Sequence, residues 1–298
     1  MSEKPNKKRF LKVNIEISNI CNLQCSFCPE VLRPKKLMEP ALFESIIEQV
    51  APLTEQVCLH VMGDPLVHPR LEELVAVCER ANTRIFLVTN GVLLRERHQE
   101  LLLHPVFRQI CFSLHSFPDN FPGQDPGPYL ERIFAFTERC FEKRPDLFLN
   151  YRLWNLSTPG GASAENQDIL RRVEERFKTQ LNLEALDVRE EKAVKIGRRL
   201  SLHFDTEFTW PSMDLPVLGT RGTCYGLRNH FGILVDGTVV PCCLDKEAAT
   251  PLGNIQTSRI EEILASPRAQ AILTGFRNRQ LVEPLCQRCP YIERFDRA

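Results

Sequence analysis

Cys21-Asn22-Leu23-Gln24-Cys25-Ser26-Phe27-Cys28 follows directly on the strand-like run Leu11-Lys12-Val13-Asn14-Ile15-Glu16-Ile17. Three cysteines spaced C-x3-C-x2-C on one short loop can place thiolates on three irons of a [4Fe–4S] cube. The fourth iron is then left without a protein ligand, free to bind a substrate or cofactor directly. Two plainer readings compete: a zinc knuckle and buried structural thiols. A structural zinc site closes with four Cys or His ligands, often in two pairs. No fourth such residue lies near Cys28; the next are Cys58 and His60, a whole βα unit away.

The chain has 298 residues, enough for one large α/β domain and a smaller one. Its 43% hydrophobic and 26% charged content is that of a globular protein. Lys+Arg and Asp+Glu stand at 38 each, so net charge argues for no polyanionic partner. Met1 to Phe10 is polar and basic with no apolar core, unlike a signal peptide. No apolar run reaches the ~18 residues that span a bilayer. The expectation is a cytoplasmic protein with no membrane partner. In that compartment twelve cysteines point to metal binding or chemistry rather than to disulfides.

Strand-like and helix-like segments alternate outward from the cysteine loop. Strands are expected at 13–18, 56–62, 84–89, 108–114, 147–154 and 183–188, the third ended by Asn90-Gly91. Helices are expected at 40–50, 71–80, 92–103, 128–142 and 163–178. Leu42, Ile46, Ile47 and Val50 form the apolar face of the first, and Ser163 caps the last. Repeated βα units with near-continuous apolar strands predict a parallel sheet covered by helices. Six units are too few for a closed eight-unit barrel, and in such folds chemistry sits on loops after the strands. From about residue 205 the pattern changes. A proline- and glycine-rich stretch leads to Phe231–Val240, whose central Asp236-Gly237 is a hairpin signal. Helices follow at 258–266 and 267–275. The domains are expected at 1–205 and 206–298.

The cysteine spacing, with Phe27 just before the last cysteine, resembles the radical S-adenosylmethionine (SAM) enzymes. The resemblance covers nearly the whole chain and implies an α/β fold, a partial (β/α)6 barrel. It implies that Cys21, Cys25 and Cys28 hold a [4Fe–4S] cluster whose open iron binds SAM, which is cleaved to a 5′-deoxyadenosyl radical. Gly63-Asp64-Pro65 resembles the family's Gly-Glu-Pro segment, whose backbone receives the SAM amino group; an ordinary turn is the alternative. Ser113 and Arg152 match positions that often meet the SAM carboxylate. An arginine inside an apolar strand also demands an anion on physical grounds, the SAM carboxylate or else a neighbouring carboxylate side chain. Asn90 is a candidate for the ribose or a plain turn residue, and Phe27 for packing near the adenine.

Cys224 and Cys242 bracket Gly237 in a C-x12-G-x4-C pattern, and Cys286-Gln287-Arg288-Cys289 adds C-x2-C. This resembles the Twitch domain, the short form of the SPASM domain. It implies that Cys224, Cys242, Cys286 and Cys289 hold one auxiliary [4Fe–4S] cluster in a small C-terminal domain with a β-hairpin and helices. Zinc is the alternative. Cys243 competes with Cys242 as ligand, and Gly237 spacing favours Cys242. Cys58, Cys78, Cys111 and Cys140 are expected in the core.

The resemblance implies a flavodoxin- or ferredoxin-type reductant and hydrogen abstraction from a substrate in the barrel mouth. Twitch-bearing dehydrogenases of amino-cyclitol pathways make the net step a two-electron oxidation, with the auxiliary cluster as electron acceptor. A small molecule is therefore the favoured substrate, with peptide or RNA modification as the alternative. Lys7-Lys8-Arg9 and Arg33-Pro34-Lys35-Lys36 could touch phosphates, but such runs are ordinarily solvated surface. An iron–sulfur electron carrier without catalysis is a third reading. His60, His68 and His115 are candidates for a substrate base. Met62 and Trp154 are candidates for the pocket lining or the core, and Phe208-Thr209-Trp210-Pro211 for a pocket wall.

Overall fold

The computed structural model describes residues 8–156, 164–181, 192–207 and 209–295. The expected strand at 183–188, the cap at Ser163 and Phe208 lie outside the described residues. In chain order the strands are β1 Lys12–Ile15, β2 Gln56–Leu59, β3 Arg84–Thr89, β4 Phe107–Ser113, β5 Phe148–Leu156, β6 Ala193–Gly197, β7 Leu200–Thr206, β8 His230–Ile233, β9 Thr238–Val240 and β10 Gly253–Asn254. The helices are α1 Pro40–Val50, α2 Leu71–Arg80, α3 Glu96–Leu102, α4 Ser116–Asn120, α5 Gly127–Lys143, α6 Ala164–Phe177, α7 Ile260–Ala265 and α8 Pro267–Arg277. None is long and apolar enough to cross a membrane. The chain forms two compact units, one of Met1–Cys21, Pro29–Ile85 and Phe208–Ala298, the other of Asn22–Cys28 and Phe86–Glu207.

In the first unit the strand order is β10-β9-β8-β1-β2. β1 pairs in parallel with β2 on one side, Val13 opposite Val57, and with β8 on the other, Ile15 opposite Ile233. The C-terminal segment thus covers the edge of the first strand, which would otherwise present unpaired backbone groups. These units therefore interleave along the chain, and the division at 205/206 stands as a proposal for the module boundary. Val13, Ile15, Val57, Phe231 and Ile233 are fully buried, as the apolar pattern expects. β8 and β9 form the expected hairpin. Gly237 supplies φ +84° at its turn, and Thr238 N–H donates to Asp236 Oδ1 at 3.0 Å. α1 starts with Pro40 at its first turn and buries Phe43, Ile46, Ile47 and Val50. Phe43 replaces the expected Leu42, which is only half-buried, because 43, 46, 47 and 50 make the i, i+3, i+4, i+7 stripe of one helix face.

In the second unit the order is β3-β4-β5-β7-β6, with β4, β5 and β7 parallel and β6 antiparallel to β7. α5 lays Tyr129, Ile133, Phe136 and Cys140 on the core side. Thr137 Oγ1 and Tyr151 OH share a hydrogen bond of 2.7 Å there, which satisfies two hydroxyls that would be costly alone. α4 is unexpected. Pro118 makes its sequence read as a loop, yet Pro is tolerated in a first helical turn.

His230 faces Lys12 across β8 and β1, and burial pushes its imidazole down to about 4, with the Lys12 charge adding to the shift. The unfolded chain takes up this proton near pH 6.5, so the stabilisation is complete above that pH and is lost as pH falls toward 4. Between pH 7 and 5 this group should cost about 2 kcal/mol. Urea unfolding of the wild type and His230→Gln at both pH values should show a smaller pH loss in the variant; equal losses would refute it.

Candidate functional site

The approach to Cys21 is built by backbone contacts. Gly63 has φ +73°, and a Cβ there would lie 2.4 Å from the Ser18 carbonyl oxygen and 2.7 Å from that of Ile20. Only glycine fits so close an approach. Asp64 N–H donates to Ile20 O at 3.0 Å, and the Asp64 carboxylate accepts Leu66 N–H at 2.9 Å, capping the turn Pro65–Val67. Gly63-Asp64-Pro65 therefore lies against Ser18 and Ile20, within three residues of the first cysteine. Ser18 Oγ closes a local turn by donating to Ile20 O and accepting from Ile20 N–H.

In the other unit α4 supports the rest of the cysteine loop. Asn120 Nδ2 donates to Cys25 Sγ at 3.1 Å, and Asn120 Oδ1 accepts Gln24 N–H at 2.8 Å. Asp119 accepts both Ser26 N–H and Ser26 Oγ–H. A hydrogen bond with Cys28 is the largest influence holding the Cys25 thiol at about 7, below its ordinary 9; donors from Ser116 and Asn120 work with it against burial. A lowered thiol pKa favours the thiolate that binds iron. Phe27 packs on the His115 ring, centroids 4.7 Å apart. Asp119 and Asn120 were missed in the sequence, where His115–Phe121 carries no helical periodicity; only the adjacent Asp-Asn pair signals a loop-supporting role.

Ser113, the last residue of β4, is the register partner of Arg152 in the middle of β5. Arg152 Nε is buried without a hydrogen-bond partner. Its guanidinium lies over the Trp154 ring at 4.4 Å and over Phe86 at 5.7 Å. An orphaned donor flanked by aromatic faces, next to a hydroxyl, fits a carboxylate ligand. Asn90 forms an Asx turn with Val92 N–H, as its reading as a turn residue expects, and also donates to Asn22 Oδ1 at 3.0 Å. Trp154 thus lies beside a polar group, whereas Met62 packs against Val61, Leu234 and Val240.

The candidate bases separate. His68 uses both ring nitrogens, Nε2 with Met38 O at 2.9 Å and Nδ1 with Arg70 N–H at 3.2 Å, and burial lowers its pKa. That is a structural imidazole. His115 Nδ1 bonds Arg152 O at 3.0 Å, and burial pushes it down to about 4, leaving it neutral and weakly basic. His60 follows β2, its N–H bonded to Ile15 O.

Cys224, Cys242, Cys286 and Cys289 gather in the first unit. Burial pushes Cys242 up, and neighbouring Cys243, Cys224 and Cys286 push it further. Cys286 is raised by burial and then by Cys224 and Cys289, and Cys289 is raised to about 11 by burial, with Cys224 and Cys243 adding to it against two backbone hydrogen bonds. Such mutually repelling thiolates gain from a shared cationic centre. Among the described residues no three His, Cys, Asp or Glu side chains close round a single metal ion. Cys243 instead packs on the apolar Val61 group, which favours its neighbour as ligand. Cys58, Cys78, Cys111 and Cys140 are buried in the core as expected.

One further group escaped the sequence. Glu16, fully buried, accepts two bonds from Arg33 Nη2 at 2.8 and 2.9 Å, Met62 N–H at 3.3 Å and Val235 N–H at 3.2 Å. Burial raises its pKa while Arg33 and the two amides oppose that shift. Arg33 Nε also donates to Lys246 O at 2.6 Å, and Lys246 Nζ donates to Glu30 O at 2.8 Å. Arg33 was expected on solvated surface; its side chain is 13% exposed because this carboxylate holds it.

The radical SAM superfamily model matches residues 15–154, and the SPASM iron–sulfur cluster-binding domain model matches 224–290. The chain belongs to the radical SAM superfamily. It is a radical SAM enzyme with a C-terminal SPASM domain, and its cofactors are SAM, the SAM-binding cluster and auxiliary [4Fe–4S] binding. It is 26% identical over 116 residues, 37% of this chain, to an S-adenosyl-L-methionine-dependent 2-deoxy-scyllo-inosamine dehydrogenase of Niallia circulans. The chain spans less than half the length of the curated relatives it matches. Among solved structures it is similar to BtrN in complex with AdoMet and 2-DOIA, with TM-score 0.58 and 16% identity over 95% of this chain and 94% of that one. It is also similar to Streptococcus suis SuiB bound to precursor peptide SuiA, with TM-score 0.63 and 15% identity over 96% and 73%. These likenesses carry the fold, an α/β partial barrel with a C-terminal iron–sulfur domain.

Replacing Asn120 with Ala should raise the Cys25 titration midpoint above about 7, read from the pH dependence of iodoacetamide labelling in metal-free protein. An unmoved midpoint would exclude the Asn120 donor as a cause. Glu16→Ala strands a buried guanidinium and should cost about 3–5 kcal/mol in urea unfolding, more than the double replacement Glu16→Met/Arg33→Met. A loss below about 1 kcal/mol would place Glu16 among ordinary surface pairs.

Proposed function

We propose that this radical SAM enzyme oxidises a small molecule by two electrons. The observation that carries the reading is the pairing of a three-cysteine loop with a second set of four cysteines, on a chain that matches BtrN over 94% of that protein's length. When bound, the cofactors supply a 5′-deoxyadenosyl radical from SAM and an electron acceptor at the auxiliary cluster. Cys21, Cys25 and Cys28 hold the first cluster, and Cys224, Cys242, Cys286 and Cys289 hold one auxiliary cluster. Gly63, Asp64 and Pro65 present backbone to the SAM amino group. Arg152 and Ser113 receive the SAM carboxylate, Asn90 lies toward the ribose and Phe27 toward the adenine. His115, neutral and packed on Phe27, shapes this wall. His60 is the remaining candidate for taking up a substrate proton. A flavodoxin- or ferredoxin-type carrier supplies the electron, in the cytoplasm.

A second reading is peptide modification, favoured by the likeness to SuiB at TM-score 0.63. The separating experiment gives anaerobically reconstituted protein SAM, reductant and size-fractionated extract, and measures 5′-deoxyadenosine above the uncoupled background. Stimulation confined to the small-molecule fraction is expected. Stimulation in the macromolecular fraction, abolished by protease or nuclease, would replace it with a peptide or RNA substrate.

A further inference from the structure

β7 lies outside the strands expected from the sequence, and its two faces differ. Leu200, Leu202 and Phe204 are buried, while Ser201, His203 and Asp205 are half-buried. β5 alternates in the same way. Tyr151 meets Thr137 of α5 and Phe177 of α6, so its neighbours Asn150 and Arg152 point to the sheet face away from those helices. By register, Ser113 on β4, Arg152 on β5 and His203 on β7 stand in one row across three parallel strands of the second unit. Trp154, two residues beyond Arg152, shares that face and stacks on its guanidinium.

Most histidine rings in this chain hold a backbone group. His68, His98, His104 and His115 each do so. Among the described residues the His203 ring makes no hydrogen bond, and Arg152 Nε beside it is also unpaired. Burial lowers the His203 pKa, and the Arg152 charge adds to that shift. The ring is therefore neutral at pH 7 and keeps a lone pair to offer. The other charges on this face are Lys195, opposite Ser201 on β6, and Asp205, which Lys192 pairs at 3.3 Å. Ala193, opposite His203, is exposed and too small to cover the ring.

We propose that His203 is a catalytic residue, hydrogen-bonded to the hydroxyl of an alcohol substrate and taking up its proton as the alcohol is oxidised. The inference rests on the two-electron oxidation proposed above and narrows its substrate class to an alcohol. The alcohol becomes a carbonyl when its C–H and O–H bonds break and a second C–O bond forms. The hydrogen atom leaves to the 5′-deoxyadenosyl radical, one electron to the auxiliary cluster, and the proton to His203 and then to water. Arg152 holds the SAM carboxylate in that reading, so His203 is the next group along the same row. A neutral, unpartnered imidazole is in the state that accepts a proton. His203 therefore takes this role in place of His60.

The test uses reconstituted enzyme with SAM, reductant and the stimulating small-molecule fraction of extract. His203→Gln and His203→Ala should slow product formation about a hundredfold. SAM affinity by equilibrium dialysis, and the EPR signal of the SAM-bound cluster, should match the wild type in both. The wild-type rate should fall toward acid with a midpoint below 6.5, because the base must be neutral, and this limb should vanish in His203→Gln. Added imidazole should restore the rate of His203→Ala, following the titration of the added base, and leave the wild type unchanged. A wild-type rate and acid limb in His203→Gln, no rescue by imidazole, or SAM binding lost in step with the rate would each overturn the proposal. Failure of the oxidation reading shows separately, in the wild type, as a product not lighter by a pair of hydrogens or as stimulation by macromolecules alone.

Discussion

A buried carboxylate is the constraint on which much of this structure depends. Glu16 sits one residue past β1 and collects amide donors that follow β2 and β8, so the ends of three adjacent parallel strands converge on one side chain. A lone buried carboxylate would cost several kcal/mol, and only a complete set of donors offsets that. The bidentate Arg33 completes it, and Arg33 carries the chain just beyond Cys28 onto the loop just beyond Cys243 through Lys246 and Glu247. One charge thus orders the exits of two cysteine segments that lie more than two hundred residues apart in the sequence.

The two cysteine sets live in opposite electrostatic environments. Cys25 receives donors that draw its thiol down to about 7, while Cys21 and Cys28 are exposed. That combination suits a loop that must ligate a cluster and still leave it open to a small ligand. The C-terminal thiols are buried, raised and mutually repelling. Such a set gains most from a fully ligated, closed centre. Arg152 adds a third kind of environment, a cation stacked on Trp154 with an unused Nε donor, which binding of an anion would satisfy.

Much of this was legible in the chain because its signals are local. The βα alternation, the Asp236-Gly237 turn and the C-x3-C-x2-C spacing each depend on neighbours within a few residues. The Gly63 requirement was legible only as a motif; its reason, the Ser18 and Ile20 carbonyls, lies forty-odd residues away. α4 was illegible because five residues with a proline show no period. With it went Asp119 and Asn120, which reach back some ninety residues to the cysteine loop. His68 and His115 looked alike in sequence, and only their partners distinguish a locked imidazole from one set against Phe27.

The amino-acid sequence by itself determined the family, the two cysteine sets and the α/β plan, because thiol number, spacing and apolar period are properties of the chain. Tertiary structure alone decided that β8 would pair with β1 and that Glu16 and Arg33 would be buried together. Those outcomes follow from long-range backbone pairing and from the cost of an unpaired buried charge, and neither leaves a mark on local sequence.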